Sequence, residues 1–408
     1  MMNQHNLSSN NPHNSYRHDS LLNDETGVSL DSDLNISGEP VVVDNETGLD
    51  FIFNFAENVP QEIKDNISKA AEAWGAVITD DKTIEINVGY ELNTTGLANA
   101  SSEQVEVDYS EFRQALAAKA SSDNDAIALE SLLTDEAISI LINNTKENQG
   151  KDDVYLDDND SSNNSTIAVN RSTANALGLD LGDASVDGTI IFDRDVNWDY
   201  DTSDSLDGVD FTNVATHEIS HVLGFDSSVD DLDRLAGQNL KQLVISGEAD
   251  LEDIAETLEV EVEDLENILD LFGLGEVAEI QTPEEFEALI AGTPAEPLLE
   301  SIQPDIFVSE DEYTPSAIDL FRYSDLSSDL GVIDFTTGER DKYFSLDGGN
   351  TKIAQFSTGE FLGDGRQTSH WKDNLSLGIM DPTPDADDTR TISSNDLQIL
   401  DVIGWDTV

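Results

Sequence analysis

The feature that most narrows what this chain can fold into is the run His217-Glu218-Ile219-Ser220-His221. On a helix, positions i and i+4 lie one above the other on the same face. Two imidazoles so placed stand at a separation that a single Zn²⁺ bridges. A glutamate beside the first of them can reach a metal-activated water without itself ligating the metal, which is the position of a general base. Val214, Ala215, Val222 and Leu223 supply the apolar side that seats such a helix, and Gly224 ends it, as a residue tolerant of positive φ does. The spacing predicts a helix over about 210–223. The bland alternative is an amphipathic helix with two chance histidines. Scarcity argues against it: the chain has six histidines, three of them (His5, His13, His18) in a polar N-terminal stretch, two in this motif, and the last, His370, in Ser369-His370-Trp371, ten residues before Met380.

A chain of 408 residues can bury a large core and hold two or three domains. Its 86 acidic against 19 basic residues give a net charge of −67, which argues against nucleic acid and anionic membrane surfaces as partners. Such charge suits a salty or calcium-containing medium, where screening blunts self-repulsion. Cysteine is absent, so disulfides, thiolate zinc sites and cysteine nucleophiles are all excluded. No apolar run is long enough to cross a membrane, and no standard signal peptide is visible. Oligomeric state has no signature in the sequence.

Four regions are expected. Residues 1–48, rich in Asn, Ser, Asp and His, read as a disordered leader; the apolar run 40–43 is open to a strand or an inhibitory segment, with plain linker the favoured reading. Residues 49–228 form an N-terminal catalytic subdomain. Alternation predicts strands at 49–55 and 83–90, and helical spacing predicts a helix from 60 to 78. Further helices are expected at 109–120, 123–143 and 172–177, a loop at 144–165, and a strand at 187–193, continued by an edge at 196–200. The strand at 189–193 is the candidate to pair with an extended substrate. The Asp-rich stretches 152–160 and 199–207 raise Ca²⁺, although neither fits the EF-hand pattern and a solvated turn explains both. Residues 229–300 read as an inserted acidic helical segment beside the site. Residues 301–408 form a C-terminal subdomain with strands near 343–346 and 353–356 and a helix at 394–403, capped by Asn395 or Ser394. The fold class is α+β: a mixed sheet, an active-site helix and the helical insertion.

The order His217, Glu218, His221, Gly224, long insertion, Ser369-His370-Trp371 and Met380 in Gly-Ile-Met-Asp-Pro resembles the metzincin zinc proteases, and within them the leishmanolysin-like branch. It is similar also to bacterial secreted metalloproteases that share the Asp-Leu-Phe-Arg stretch and the final Asp-Val-Ile-Gly-Trp. The resemblance covers about 49–408 and implies a zincin fold. In most metzincins the third ligand stands three residues after the glycine; here that residue is Ser227, a poor ligand. The resemblance assigns the role to His370 and makes Met380 the apolar floor of a Met-turn. Asp226 and Asp230 stay open as alternative third ligands, since carboxylates also bind zinc. The branch departs from this chain in being cysteine-rich, and no tyrosine follows Met380.

These residues point to a zinc endopeptidase acting on protein or peptide substrates, with Glu218 as base and His217, His221 and His370 as metal ligands. Two other readings are a catalytically idle, zinc-stabilised extracellular binding or matrix protein, and an esterase or amidase using the same metal. The family likeness implies a secreted protein, exported in a bacterial manner without a visible N-terminal signal.

Overall fold

A computed structural model describes residues 34–237 and 309–408, apart from 46–47, 93–95, 135, 149, 151–152, 183, 202–207 and 384–389. The leader up to residue 33, most of the acidic insertion and the stretch 301–308 therefore lie outside the described residues.

Strands β1 (Val41–Val43) and β2 (Asp50–Phe55) open the fold, followed by helix α1 (Gln61–Gly75), β3 (Thr83–Glu91) and β4 (Ala98–Ser102). Strand β5 (Gln104–Asp108), helices α2 (Tyr109–Lys119) and α3 (Asp123–Ser131), β6 (Ile140–Ile142), β7 (Tyr155–Asp157), α4 (Ser162–Ser165), β8 (Thr166–Asn170), α5 (Arg171–Leu177) and β9 (Gly188–Asp193) complete the part before the His-Glu helix. The main sheet has the order β1-β2-β3-β9-β4. Strands β2, β3 and β9 run parallel, and β1 and β4 flank them antiparallel.

The alternating apolar residues of β2 explain its place. Phe51, Phe53 and Phe55 all point into the core, and the rings of Phe51 and Phe53 stack at 5.9 Å. Each such ring withdrawn from water contributes about 1.5–3 kcal/mol. On α1, Ile63, Ile67, Ala70, Ala71 and Trp74 form one buried stripe. The Trp74 indole N–H donates to the Thr216 carbonyl at 2.9 Å, which fixes α1 against the His-Glu helix.

Three expectations are corrected here. The stretch 41–43, read as linker, is an edge strand: Val43 is buried and the three valines pair with Phe53, Ile52 and Phe51. The helix expected over 123–143 stops at Ser131, and β-branched Ile140 and Ile142 instead form β6, paired with β7 and with β13 (Ile333–Phe335). The strand at 189–193 is not available to a substrate. Strand β9 is bonded on both sides, and β4 forms that edge of the sheet.

After β9 come β10 (Trp198–Asp199) and β11 (Val209–Asp210), a short parallel pair. They lead into α6 (Phe211–Val222) and α7 (Val229–Gly237). Beyond the insertion, β12 (Arg322–Tyr323), α8 (Asp325–Leu330), β13, β14 (Lys342–Phe344), β15 (Ala354–Phe356) and α9 (Ser394–Ile403) follow. Strands β12, β14 and β15 form a small antiparallel sheet. The cap of α9 is Ser393, one residue before the expected position. Its hydroxyl accepts from the Asn395 and Asp396 amides, and the Asp396 carboxylate accepts from the Ser393 amide at 2.7 Å, closing a capping box. Among the described residues no helix is long and apolar enough to cross a membrane.

Candidate metal centre

Helix α6 begins at Asp210, whose side chain accepts from the Asn213 amide at 3.1 Å. Its other end leaves carbonyls that no further turn can satisfy. Side chains satisfy them here. Ser102 Oγ and Asn170 Nδ2 donate to the His221 carbonyl at 3.2 and 3.0 Å. Ser172 Oγ donates to Val222, and Thr173 Oγ1 and the Trp405 indole donate to Leu223 at 3.0 and 2.8 Å. Gly224 then turns the chain at φ +114°. A Cβ there would stand 2.5 Å from Thr173 Oγ1, so both conformation and space require glycine.

His217 and His221 project from α6 with ring centroids 4.9 Å apart, and His370 stands 5.0 Å from each. Among the described residues, this trio is the one group of His, Asp and Glu donors spaced to hold a metal ion. Backbone carbonyls set two of the three tautomers. The Ile379 carbonyl accepts from His217 Nδ1 and the Phe225 carbonyl from His221 Nδ1, each at 2.8 Å. A carbonyl only accepts, so each Nδ1 carries the proton and each Nε2 presents a lone pair. Those two Nε2 atoms lie 3.2 Å apart, and His370 Nε2 lies 3.1 Å from that of His217. Lone pairs so crowded repel unless a cation lies between them. Tetrahedral zinc with bonds of 2.0–2.1 Å sets its donor nitrogens about 3.3 Å apart, close to the spacing seen. The donor set fits the ion.

Burial, followed by the neighbouring His221, pushes His217 down to about 3, and burial followed by the other two rings holds His370 well below its ordinary value. These two rings are therefore suited to act as neutral donors at ordinary pH. Burial alone pushes Glu218 up to about 8.

The loop carrying His370 is seated by the residues that follow α6. Asp230 accepts from the Thr368 amide, from the Ser369 amide at 3.0 Å and from Ser369 Oγ at 2.5 Å. Asp226 accepts from Ser369 Oγ at 3.2 Å. The two alternative third ligands thus hold the loop that bears His370 and are not part of the trio. Ser227 donates its amide to Ser369 Oγ at 2.9 Å, while its hydroxyl donates to the buried Asp319 at 2.6 Å. The position three after the glycine is where the distant loop docks.

A second brace joins the loop to the turn at Met380. Asp396 accepts from the Trp371 indole at 2.7 Å and from the Ile379 amide at 2.9 Å, and the Trp371 amide donates to the Met380 carbonyl at 2.9 Å. Met380 itself is fully buried.

A cleft opens over the trio. Gly96–Ala100 of β4 and its approach form one wall, and Glu360, Arg366 and Gln367 another; Asn213, Asp381, Pro382 and Arg390 also line it. Sequence reasoning missed these. The strand Ala98-Asn-Ala-Ser-Ser has small residues of weak β propensity, and its ladder with β9 is what makes it a strand. The others are ordinary charged residues in a chain full of charge. The possibility of calcium finds no support. Asp157 accepts amide N–H groups from Asn163 and Asn164, a setting that supplies donors where a cation needs oxygens, and residues 202–207 lie outside the described region.

No curated protein and no solved structure matches the chain. Residues 87–236 match the family model described as Matrixin, Peptidase_M10. This corrects the leishmanolysin-like assignment. That likeness rested on where the third histidine and the Met-turn fall in the sequence, whereas the matched stretch runs from β3 through α7 and contains the sheet edge and the helix that carry the first two. With the histidine trio beside it, this match identifies a zinc-dependent endopeptidase-type domain, similar to the Matrixin family over residues 87–236.

Proposed function

We propose that His217, His221 and His370 hold one catalytic Zn²⁺ and that Glu218 is the general base of peptide-bond hydrolysis. The observation that carries this reading is the meeting of three imidazoles, with the His217 Nε2 3.2 Å from that of His221 and 3.1 Å from that of His370, two of the rings fixed as lone-pair donors by carbonyls, and Glu218 one residue from the first. A zinc ion bound there supplies a Lewis acid for the scissile carbonyl and lowers the pKa of a water beside it. Glu218 takes the proton from the attacking water and passes it to the departing amine. Its setting suits that task. It is buried at the cleft and makes no side-chain hydrogen bond among the described residues, so it has no structural partner to hold it. Strand β4, last in the order of the sheet and lining the cleft, is the strand beside which an extended peptide would lie. Met380 forms an apolar floor beneath the rings. Asp226 and Asp230 serve as seats for the His370 loop.

The idle-binding reading has no use for an unpaired buried carboxylate at this point, and the esterase reading has no use for a sheet edge along the cleft. We further propose that the protein works outside the cell, since an acidic surface of this density suits a salt-rich medium. The deciding experiment measures casein or peptide cleavage and zinc content together for the native chain and Glu218→Gln. The native chain is expected to cleave and to stop on chelation; the variant is expected to keep its zinc and lose turnover. Strong proteolysis by the variant would overturn the assigned role.

A further inference from the structure

Another part of the cleft lining is a tongue formed by residues 359–366, closed on itself where the Gly359 and Gly365 amides donate to the Arg366 and Gly359 carbonyls at 3.1 and 2.9 Å. Helix α7 fixes it: Asp233, itself buried, accepts from the Phe361 and Leu362 amides at 2.8 and 2.9 Å. Gly359 lies at φ +134° with Asp233 directly against it, so the tongue has little freedom to shift.

This tongue presents Glu360 to the cleft. Among the described residues the Glu360 carboxylate has neither a hydrogen bond nor an ion pair. Arg366, its neighbour on the tongue, has its guanidinium turned to Asp373, with Nε 3.2 Å from the carboxylate. Behind Glu360 stand Asp230 and Asp233. Burial, followed by these two acids, pushes its pKa up to about 7. The charge of Arg366 offsets this only in part, so a half-buried carboxylate backed by two more and without an ion-pair partner of its own marks a point of negative potential that a positive guest relieves.

We propose that Glu360 is a specificity-determining residue that selects a lysine or arginine side chain of the peptide substrate in the part of the cleft walled by the tongue. The guest's ammonium or guanidinium replaces the missing partner, while its aliphatic stem lies along the cleft. The selection rests on the peptidase reading given above. It would favour cleavage at sequences carrying one basic residue at a fixed distance from the scissile bond.

The test uses fluorogenic peptides that differ only in lysine or glutamine, placed in turn at each of the three positions on either side of the scissile bond, with the zinc-loaded full chain. At one position the native chain is expected to show a lysine-to-glutamine ratio in kcat/KM of roughly tenfold, shrinking as salt rises. In Glu360→Gln that ratio is expected to fall to about one, and in Glu360→Lys to drop below one. Cleavage with a native ratio near one at every position overturns this inference alone. A preference unchanged in Glu360→Gln does the same. Should that variant fail to fold, a native preference that is insensitive to salt overturns it as well. Absence of cleavage of any peptide overturns the peptidase reading and this inference with it.

Discussion

The carbonyl of Ile379 accepts the Nδ1 proton of His217 at 2.8 Å, while the amide of the same residue donates to Asp396 at 2.9 Å. One peptide segment thus passes the position of a buried carboxylate to a ring of the histidine trio. Asp396 also holds the indole of Trp371, next in sequence to His370. Replacing Asp396 with alanine is expected to leave two buried N–H groups unpaired, at about 1–3 kcal/mol each. Zinc affinity should fall about 10- to 100-fold, as outer hydrogen-bonding partners of metal ligands commonly cause. Urea unfolding and competition with a chromophoric chelator read the two effects separately, and Asp396→Asn should recover part of both.

The identity of the third ligand is settled by comparing three variants. His370→Ala is expected to abolish stoichiometric zinc binding, whereas Asp226→Asn is expected to retain it, since that carboxylate bonds Ser369 Oγ and Gln104. Asp230→Asn should retain the metal at reduced affinity, because it still accepts from the loop with one oxygen. Zinc content by emission spectroscopy after dialysis decides the matter. Retention of the metal by His370→Ala with loss in Asp226→Asn would reverse the assignment.

Burial, helped by the charge of Asp230 and opposed by amide hydrogen bonds from residues 360–362, pushes the Asp233 carboxyl up from 3.8 to about 6 in the folded chain. Its folded value lies above its unfolded one, so the folded chain holds this proton more tightly. The resulting cost is absent below about pH 4, grows as pH rises to about 6, and is full above that. A rise of that size corresponds to about 3 kcal/mol at most. Relative to the native chain, Asp233→Asn should therefore gain stability between pH 4 and 7. Urea titrations of the zinc-free proteins at both pH values measure that shift, and a difference that stays constant or moves the other way would contradict it.

Gly224→Ala places a Cβ against Thr173 and Ile403 at a backbone angle that alanine avoids. A loss of about 1–3 kcal/mol is expected from conformation alone, with more from the contact. Thermal unfolding of the zinc-free chain is the direct measurement.

What could be read from the sequence was local. The helix α6, its glycine stop and the alternating Phe51-Ile52-Phe53-Asn54-Phe55 strand follow from spacing within a few residues. The strand β6 was misread because Ala126, Leu129 and Leu132 continue a helical pattern up to it, and only pairing with β13, far along the chain, selects extended backbone for Ile140–Ile142. Strand β4 escaped notice because its alanines and serines carry little apolar signal, and its position as the edge depends on β9 lying inside the sheet. For the candidate site, the scarcity of histidine singled out His217, His221 and His370. Nothing local could tell that Asp230, Asp233 and Asp396 brace the loops while dozens of other acids face water. That distinction lies in which amides each carboxylate meets, and those amides come from remote segments.

The indole of Trp405 donates to Leu223 at the foot of α6, so the helix bearing the first two rings is finished by a residue far later in the chain. During synthesis on the ribosome, a chain interrupted before residue 370 lacks the third imidazole, and one interrupted before 405 lacks this clasp. The three-ring arrangement and the clasp on α6 can therefore come together only after translation has passed both residues.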